Sequence, residues 1–570
     1  MIYSWEISNS ETNEKETSFD GLQIPAPIAN ILVKRKLSDP NKLQDFIHPD
    51  YERLYDPFLM DHMHLAVDRI VSALENGDNI LIYGDYDVDG VTSVSILYDS
   101  LHQLGGKVTF FIPDRSHEGY GVSSSAIKKA AKRNVKLIIS VDCGITANEE
   151  VQIAASYGID FIVCDHHEPV GEVPNALAVL DPKKKNCTYP FRELAGCGVA
   201  FKLLQGLCQK LELPASTFLQ YLDLVAIGTA ADIVQVTGEN RILVYHGLMA
   251  INKSPRVGLR ALLTISGLSR QTITVSLIVF VIAPRINAVG RISKAKKAVH
   301  LLTAKSEQQA KNIAQILNFE NNKRRDIDEF TLKQAEEIIA KEVDLEKTRV
   351  LVLNKEDWHL GVIGIIASRI HEKYNRPAIL ISTHDGIGKA SGRSGNSFNI
   401  FLALKDCDNL LLSFGGHACA AGLTIREDKI AAFRHKLNQI AVTQQSDDDR
   451  IHSLAIDSLI DFSNLSASFL KWLKRMAPFG PGNMRPVFVT RNVSISGSIR
   501  RLGANHIKFK SKQNGIVIDT VAFNMMKYKQ TLEEPCALFD IVYVIEESNW
   551  QGQNTVQLRM KDFEAINGTN

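Results

Sequence analysis

From about residue 79 to 180, short apolar runs alternate with stretches of helical period. The runs predict strands over Ile80–Tyr83, Lys107–Ile112, Leu137–Val141, Phe161–Cys164 and Ala178–Leu180. Between them, Val91–Leu104 and Ser124–Arg133 repeat their apolar positions at helical spacing. Strand–helix alternation of this kind predicts a parallel sheet with helices on both faces. Ser306 to Lys341 is then one polar, helix-favouring stretch without glycine or proline. Such a helix would run about 50 Å and bridge domains rather than cover one core. Beyond it, Arg349–Leu353 and Pro377–Ser382 read as strands around a helix at Gly361–Tyr374, a second and smaller α/β unit closing near Ile425. After the linker Ser446-Asp-Asp-Asp-Arg450, the period becomes that of strands: Val487–Val489, Ile507–Lys510, Ile516–Phe523 and Phe539–Val544. Turns at Gly503-Ala-Asn505 and Asn514-Gly515 separate them, which predicts a small β-barrel. The expected division is 1–45 with no assigned role, 46–305, the helix 306–342, 343–430, and a barrel over 446–565.

With 570 residues, three or more domains are expected. Hydrophobic residues at 45% and charged residues at 23% fit a soluble globular chain. The greasiest run, Ile273–Ala283, is too short to cross a bilayer and reads as a buried helix or strand. The N-terminus lacks a signal-peptide pattern, and eight cysteines include no C-x-x-C pair. A reducing cytoplasmic setting is therefore expected, with neither a disulfide framework nor a zinc site. The net charge of +1 argues against a nucleic-acid partner, but its distribution argues for one. No acidic residue lies between Asp461 and Asp519, while Arg485, Arg500, Arg501, Lys508 and Lys510 all do. A basic barrel suits the oligonucleotide-binding kind, with these residues as its strand contacts. A second island, acid-free from Asn240 to Gln309 apart from Glu307, holds Arg285 and Arg291.

The chemistry concentrates at strand exits. Asp85-Tyr86-Asp87-Val88-Asp89-Gly90 follows the first run, Asp142 ends the third, and Asp165-His166-His167 follows the fourth. Carboxylates this close repel one another unless a cation lies among them, and oxygen-rich sets suit magnesium or manganese. Ligands of parallel sheets gather at this edge. With Asp232 in Gly228-Thr-Ala-Ala-Asp232 as a further ligand, the set predicts two divalent cations. Asp142 is the expected bridge, Asp85 and Asp87 hold one ion, and Asp89, His166 and Asp232 hold the other. His167 would face a phosphate as hydrogen-bond donor or general acid, and Asp165 would orient a histidine ring.

The Asp-His-His triplet, the upstream Asp-x-Asp-x-Asp-Gly and the later Gly-Thr-x-Ala-Asp resemble the DHH phosphoesterase superfamily. Further segments resemble its RecJ branch of single-strand-specific DNA exonucleases. They are Ile112–Gly121, Pro284–Arg291, Ser391-Gly-Arg-Ser394, Gly415–Gly422 and Pro478–Pro486. The resemblance implies 5′-to-3′ hydrolysis of single-stranded DNA to mononucleotides, with manganese or magnesium, in repair and recombination. It implies a ring-like shape, with the long helix joining the catalytic domain to a DHH-associated domain. Arg291, Ser391 and Arg393 match positions gripping the terminal phosphate, and Arg115 and Arg285 match nearby strand contacts. His417 belongs, with Gly415 and Gly416, to a motif facing the active site. A monomer is expected, with a single-strand-binding protein and a RecQ-like helicase as implied partners. Some relatives carry a further C-terminal domain, whereas this chain stops soon after Lys561. Two alternatives share the fold: a phosphodiesterase acting on cyclic dinucleotides or very short oligonucleotides, and a non-catalytic DNA-binding scaffold. The first has no need of a basic barrel; the second would tolerate loss of Asp87, Asp142 or His166.

Overall fold

The computed structural model describes residues 3–7, 19, 22–113, 121–292, 295–395, 397–444, 453–534, 537–550 and 553–566; side chains at 291–292, 547–550 and 553–555 are not described. Its first large unit is a five-stranded parallel sheet in the order Lys107–Phe111, Asn79–Gly84, Val135–Val141, Asp160–Cys164, Ala178–Leu180. The strands read as nearly unbroken apolar runs because both faces are covered. Ile80, Ile82, Leu137, Ile139 and Ile162 pack beneath the helices Val88–Gln103 and Gly196–Lys210. Leu81, Tyr83, Ile138, Phe161 and Val163 pack beneath Ser124–Lys132 and Asn148–Ser156.

The segment Ile273–Ala283 departs from expectation. It forms a short helix, Val275–Leu277, and a π-turn, Ile278–Ile282, leading into the helix Ala283–Ile292. Ile278 and Ile282 are buried, but Phe280 is exposed. The run is amphipathic in space, although apart from Thr274 and Ser276 its residues are all apolar.

The long helix spans Glu307–Glu342, with Ser306 capping the amide of Gln309. Ala310, Ala314 and Leu317 near its start belong to the first core. Ala335 and Ile339 near its end join a different core, with Leu351, Leu353 and Ile366. The small unit carries a mixed sheet ordered Leu411–His417, Ala420–Arg426, Ile387–Arg393, Ala378–His384, Leu351–Glu356. Its core continues past Ile425, because Phe433, Leu437 and Ala441 of the helix Ile430–Gln444 complete it.

The last unit is a closed five-stranded barrel. Val487–Leu502 pairs with both His506–Gln513 and Leu538–Trp550, and the circuit runs on through Ile516–Ala522 and Gln553–Ile566. Register shifts within Val487–Leu502 bend it enough to serve two neighbours. Its strands are longer than their apolar stretches suggest, and Gln553–Ile566 is a strand that the apolar pattern does not predict.

The described residues among the first 45 also find a place. Ser4–Ile7 pairs in parallel with Ser453–Ile456. Ile28, Ile31, Leu32 and Leu43 share one core with Phe469, Trp472 and Phe488. The amide of Tyr3 and the indole of Trp5 both donate to buried Asp562. Docking of this unit onto the first centres on Arg241, which is buried and donates to five backbone carbonyls, those of Phe46, Arg475, Met476, Ala477 and Pro478. Nearby, the Val236 amide donates to the Pro481 carbonyl. Among the described residues, no helix is long and apolar enough to cross a membrane.

Candidate metal centre and phosphate grip

Every acidic group singled out in the first unit sits where backbone geometry aims it. Asp85 leaves the strand Asn79–Gly84, and Asp87 caps the next helix by accepting the amides of Asp89 and Gly90. The helix therefore begins at Val88, three residues before the apolar period becomes visible, and Asp89 lies in its first turn. This tight passage needs glycine at 90, where an added Cβ would lie 2.5 Å from the Asp85 carbonyl oxygen. The Asp89 carboxylate accepts the amides of Gly196 at 2.6 Å and Cys197 at 2.9 Å, at the N-terminus of a second helix. A helix N-terminus favours negative charge there.

Asp142 ends its strand with φ +58°, a left-handed conformation that lets the side chain turn under Gly196. A Cβ at 196 would come within 2.8 Å of Asp142 Oδ1. Asp232 follows the helix Leu222–Ala231. That helix approaches so closely that a Cβ at Gly228 would lie 2.8 Å from Asp89 Oδ1.

Three sets of possible ligand atoms lie within 4.8 Å of one another: Asp85, Asp87 and Asp142; Asp89, His166 and Asp232; and Asp142, His166 and His167. His166 Nε2 stands 3.2 Å from Asp142 Oδ1, 3.6 Å from Asp232 Oδ2 and 3.8 Å from Asp89 Oδ2. Buried His166 Nε2 and Asp232 Oδ2 have no hydrogen-bond partner among the described residues. Burial pushes the His166 pKa down to about 4, leaving a neutral ring with a lone pair to offer. Burial, with Asp89 and Asp87 adding, raises Asp232 to about 8. Burial and four neighbouring aspartates raise Asp142 well above the usual carboxylate range. A neutral imidazole amid crowded carboxylates is the donor set that a divalent cation would satisfy.

Asp165 has a separate task. It accepts the amides of Ile145 and His166, and its Oδ1 lies 2.7 Å from His167 Nδ1. Burial disfavours the His167 charge, but the bond to Asp165 outweighs it and lifts the ring to about 9. The adjacent histidines are thus opposite in character: one neutral with a lone pair to offer, the other held protonated by its carboxylate partner. Two residues lie at the site that the sequence motifs do not mark. Asp181 leaves the fifth strand just as the other acids leave theirs; it is buried, and burial raises it to about 7. Lys183 follows it and acts electrostatically on His166 and Asp232. The repeated strand-exit position is the signal in the sequence that could have found them.

In the small unit, Ser391 and Arg393 lie on one face of their strand, and Arg393 Nη1 donates to Ser391 Oγ at 3.1 Å. Pairing sets Ser391 beside Gly422 and Gly415, and Arg393 beside Ala420 and His417. Gly416 has φ +139°, and a Cβ there would strike the Ala420 carbonyl. Small residues thus leave backbone accessible beside a serine, a guanidinium and an imidazole, an arrangement suited to phosphate. Arg285 donates from Nε to Asn318 Oδ1 at 3.0 Å and from Nη1 to the Val281 carbonyl at 2.7 Å. Arg291 lies on Ala283–Ile292, with its side chain outside the described residues, as is the whole of Arg115.

The five barrel residues do not share one surface. Arg500 pairs with Lys508 across two strands, and Lys510 is two residues along on the same face. Arg501 alternates to the opposite face. Arg485 is engaged elsewhere, donating to the Ile545 carbonyl and stacking over Phe479 at 4.6 Å. Lys508 is also paired with Asp519 at 3.0 Å.

Comparison with known proteins matches three family models in chain order: the DHH family N-terminal domain over 79–229, the DHHA1 domain over 347–443 and the RecJ OB domain over 456–562. The chain is 36% identical over 562 residues to the single-stranded-DNA-specific exonuclease RecJ of Bacillus subtilis, covering 98% of this chain and 70% of that protein. The Haemophilus influenzae protein of the same name is 33% identical, covering 88% and 90%. The crystal structure of RecJ in complex with Mn2+ from Thermus thermophilus superposes with TM-score 0.83 at 28% identity, covering 100% of this chain and 80% of that one. Its Mg2+ complex gives 0.77 at 27% identity, covering 100% and 79%.

Proposed function

The chain belongs to the RecJ family of DHH phosphoesterases, and from that premise we propose that it is a metal-dependent exonuclease removing mononucleotides from the 5′ end of single-stranded DNA. The observation that carries this reading is the gathering of Asp89, Asp142 and Asp232 around a buried imidazole nitrogen with no hydrogen-bond partner among the described residues. The donor set fits two divalent cations, manganese or magnesium. Asp85, Asp87 and Asp142 would hold one, and Asp89, His166 and Asp232 the other, with Asp142 within reach of both sets. Bound there, such a pair supplies charge neutralisation at phosphoryl oxygens and an acidified water.

The chain's own groups do the rest. His167, held by Asp165 and protonated near neutral pH, donates a hydrogen bond or proton to the phosphate. Ser391, Arg393 and Arg291 receive the terminal phosphate, with Arg285, Arg115 and His417 alongside. Polarity follows from which strand end that grip accepts. The basic face of Arg500, Lys508 and Lys510 draws in the strand. A phosphodiesterase for cyclic dinucleotides would leave that face without a task, which favours the nuclease reading. Cytoplasmic DNA repair and recombination is the proposed setting, with a single-strand-binding protein and a RecQ-like helicase as partners.

The test uses a strand labelled separately at each end, single or duplex, with manganese or magnesium. Mononucleotides appearing first from the 5′ label of the single strand are expected. Release from the 3′ end, or equal attack on duplex, would refute the assignment.

A further inference from the structure

Four guanidinium groups gather where three helices cross, apart from the metal carboxylates. Arg285 lies on Ala283–Ile292, Arg324 and Arg325 on the long helix, and Arg369 on Leu360–Tyr374. Packing fixes the crossing, since each of these helices contacts the other two. Arg285 is pinned by Asn318 and the Val281 carbonyl. Arg324 is held by Asn321 at 3.1 Å and Asp328 at 3.0 Å, and its buried Nε has no hydrogen-bond partner among the described residues. Arg325 and Arg369 are exposed, and neither has a hydrogen bond or ion pair among the described residues.

These charges act on one another. Burial lowers the Arg285 pKa first, and Arg325 and Arg324 lower it further. Burial also lowers Arg324; Asp328 opposes that effect, and Arg325 and Arg369 add to it. Like charges assembled at a packed junction call for an anion between them.

The position says which anion. Five residues after Arg285, helix 283–292 reaches Gly290, where an added Cβ would lie 2.6 Å from the Tyr86 carbonyl oxygen, inside the Asp85–Asp89 motif. Five residues before Arg369, Gly364 sits where a Cβ would lie 3.0 Å from Ser391 Oγ and 3.3 Å from Arg393 Nη2. At 1.5 Å per residue, Arg285 stands about 7.5 Å along its helix axis from the glycine that touches the metal motif, and Arg369 the same distance along its own from the glycine that touches the phosphate grip. That is the scale of one nucleotide. Guanidinium forks bind phosphate oxygens in pairs.

We infer that Arg285, Arg324, Arg325 and Arg369 form a second phosphate site, which holds a phosphate of the DNA strand other than the terminal one received by Ser391 and Arg393. The inference rests on the exonuclease reading. Two sources share its chemistry: an internal phosphodiester of the strand, and the outer phosphates of a 5′-triphosphorylated end.

The test replaces the two exposed members together, Arg325→Gln with Arg369→Gln, in the full chain, with thermal unfolding to check the fold. The KM for a 5′-phosphorylated single strand should rise roughly tenfold. The slope of log KM against log salt should fall by about 0.7 for each phosphate that the variant no longer neutralises. Arg325→Lys with Arg369→Lys keeps the charge without the fork, and should recover the salt slope better than the KM. Strands with one neutral methylphosphonate, moved stepwise from the 5′ end, then locate the contact. A penalty at one internal position in the unmodified protein, absent in the Gln variant, supports the internal phosphodiester. A flat series, with a preference for 5′-triphosphate that the variant loses, keeps the site and assigns it to the polyphosphate end. Unchanged KM, salt slope and series in a folded Gln variant would overturn the inference. Failure of the unmodified protein to degrade any labelled strand would instead sink the exonuclease reading.

Discussion

Asp142 is an aspartate with φ +58°, a conformation that most side chains avoid. Its carboxyl is buried among four other aspartates whose charges oppose its ionisation. Asparagine tolerates that backbone and is close in shape, so Asp142→Asn should fold but lose charge where the proposed cations share a ligand. We expect cleavage to fall at least about a hundredfold, with strand binding largely kept, as measured by single-turnover hydrolysis beside a filter-binding assay. His167→Gln should lower kcat by roughly a hundredfold and leave KM nearly unchanged, because the ring is assigned to proton donation rather than to holding the strand. A KM effect of that size instead would transfer His167 to the binding groups. At this scale the acids and histidines were legible because their chemistry is improbable together. The orientation of Asp165 toward His167, rather than toward His166, was not, since it depends on a 2.7 Å contact between neighbouring side chains.

Among the elements, strand positions came through well because parallel strands covered on both faces must be apolar throughout. Helix starts came through less well. Val88–Gln103 begins inside the acidic motif because Asp87 is its cap, and apolar periodicity carries no trace of a cap. The helix Ala283–Ile292 illustrates another hidden constraint, in that Gly290 lets it touch the Tyr86 backbone. Gly290→Ala would press a methyl onto that carbonyl and must move either the helix or the metal motif. A stability loss of about 1–3 kcal/mol is expected, with weaker Mn2+ binding by calorimetry. Full retention of Mn2+ affinity would show that the motif is held independently of the helix. The final barrel strand Gln553–Ile566 escaped prediction for a related reason, because it is placed by pairing on both sides, antiparallel with Leu538–Trp550 and parallel with Ile516–Ala522.

The whole molecule is joined by contacts that no local pattern announces. Arg241 supplies its donors to five carbonyls across the junction between the first unit and the barrel unit. Arg241→Lys, with three donors on one nitrogen, cannot satisfy carbonyls spread around a guanidinium plane. Leaving several of them buried and unpaired costs about 1–3 kcal/mol each. The variant should therefore show a separated or lowered unfolding transition in calorimetry; a single unshifted transition would count against this junction as a coupling point. Deleting 446–570 alone would expose Ile28, Ile31 and Leu32, which pack on the removed residues. Removal of 1–47 with 446–570 should therefore give the better-behaved core. That core should bind long strands with a flatter salt dependence than the full chain. Cation binding belongs to the same scale, since Mn2+ relieves repulsion only in the folded site and should raise the unfolding temperature.

The sequence by itself determined the kinds of unit and most of the acids and histidines of the candidate site, though not Asp181 or Lys183, because apolar period and reactive residue type are written locally. It also determined that most of the acids stand at strand exits, so that a parallel sheet must bring those to one edge. Only the tertiary structure decided which imidazole nitrogen they surround, that Ile28, Ile31, Leu32 and Leu43 belong to the barrel core, and that guanidiniums from three helices meet at one crossing. Those outcomes depend on distances between segments tens to hundreds of residues apart, set by the packing of whole elements rather than by any neighbourhood of the chain.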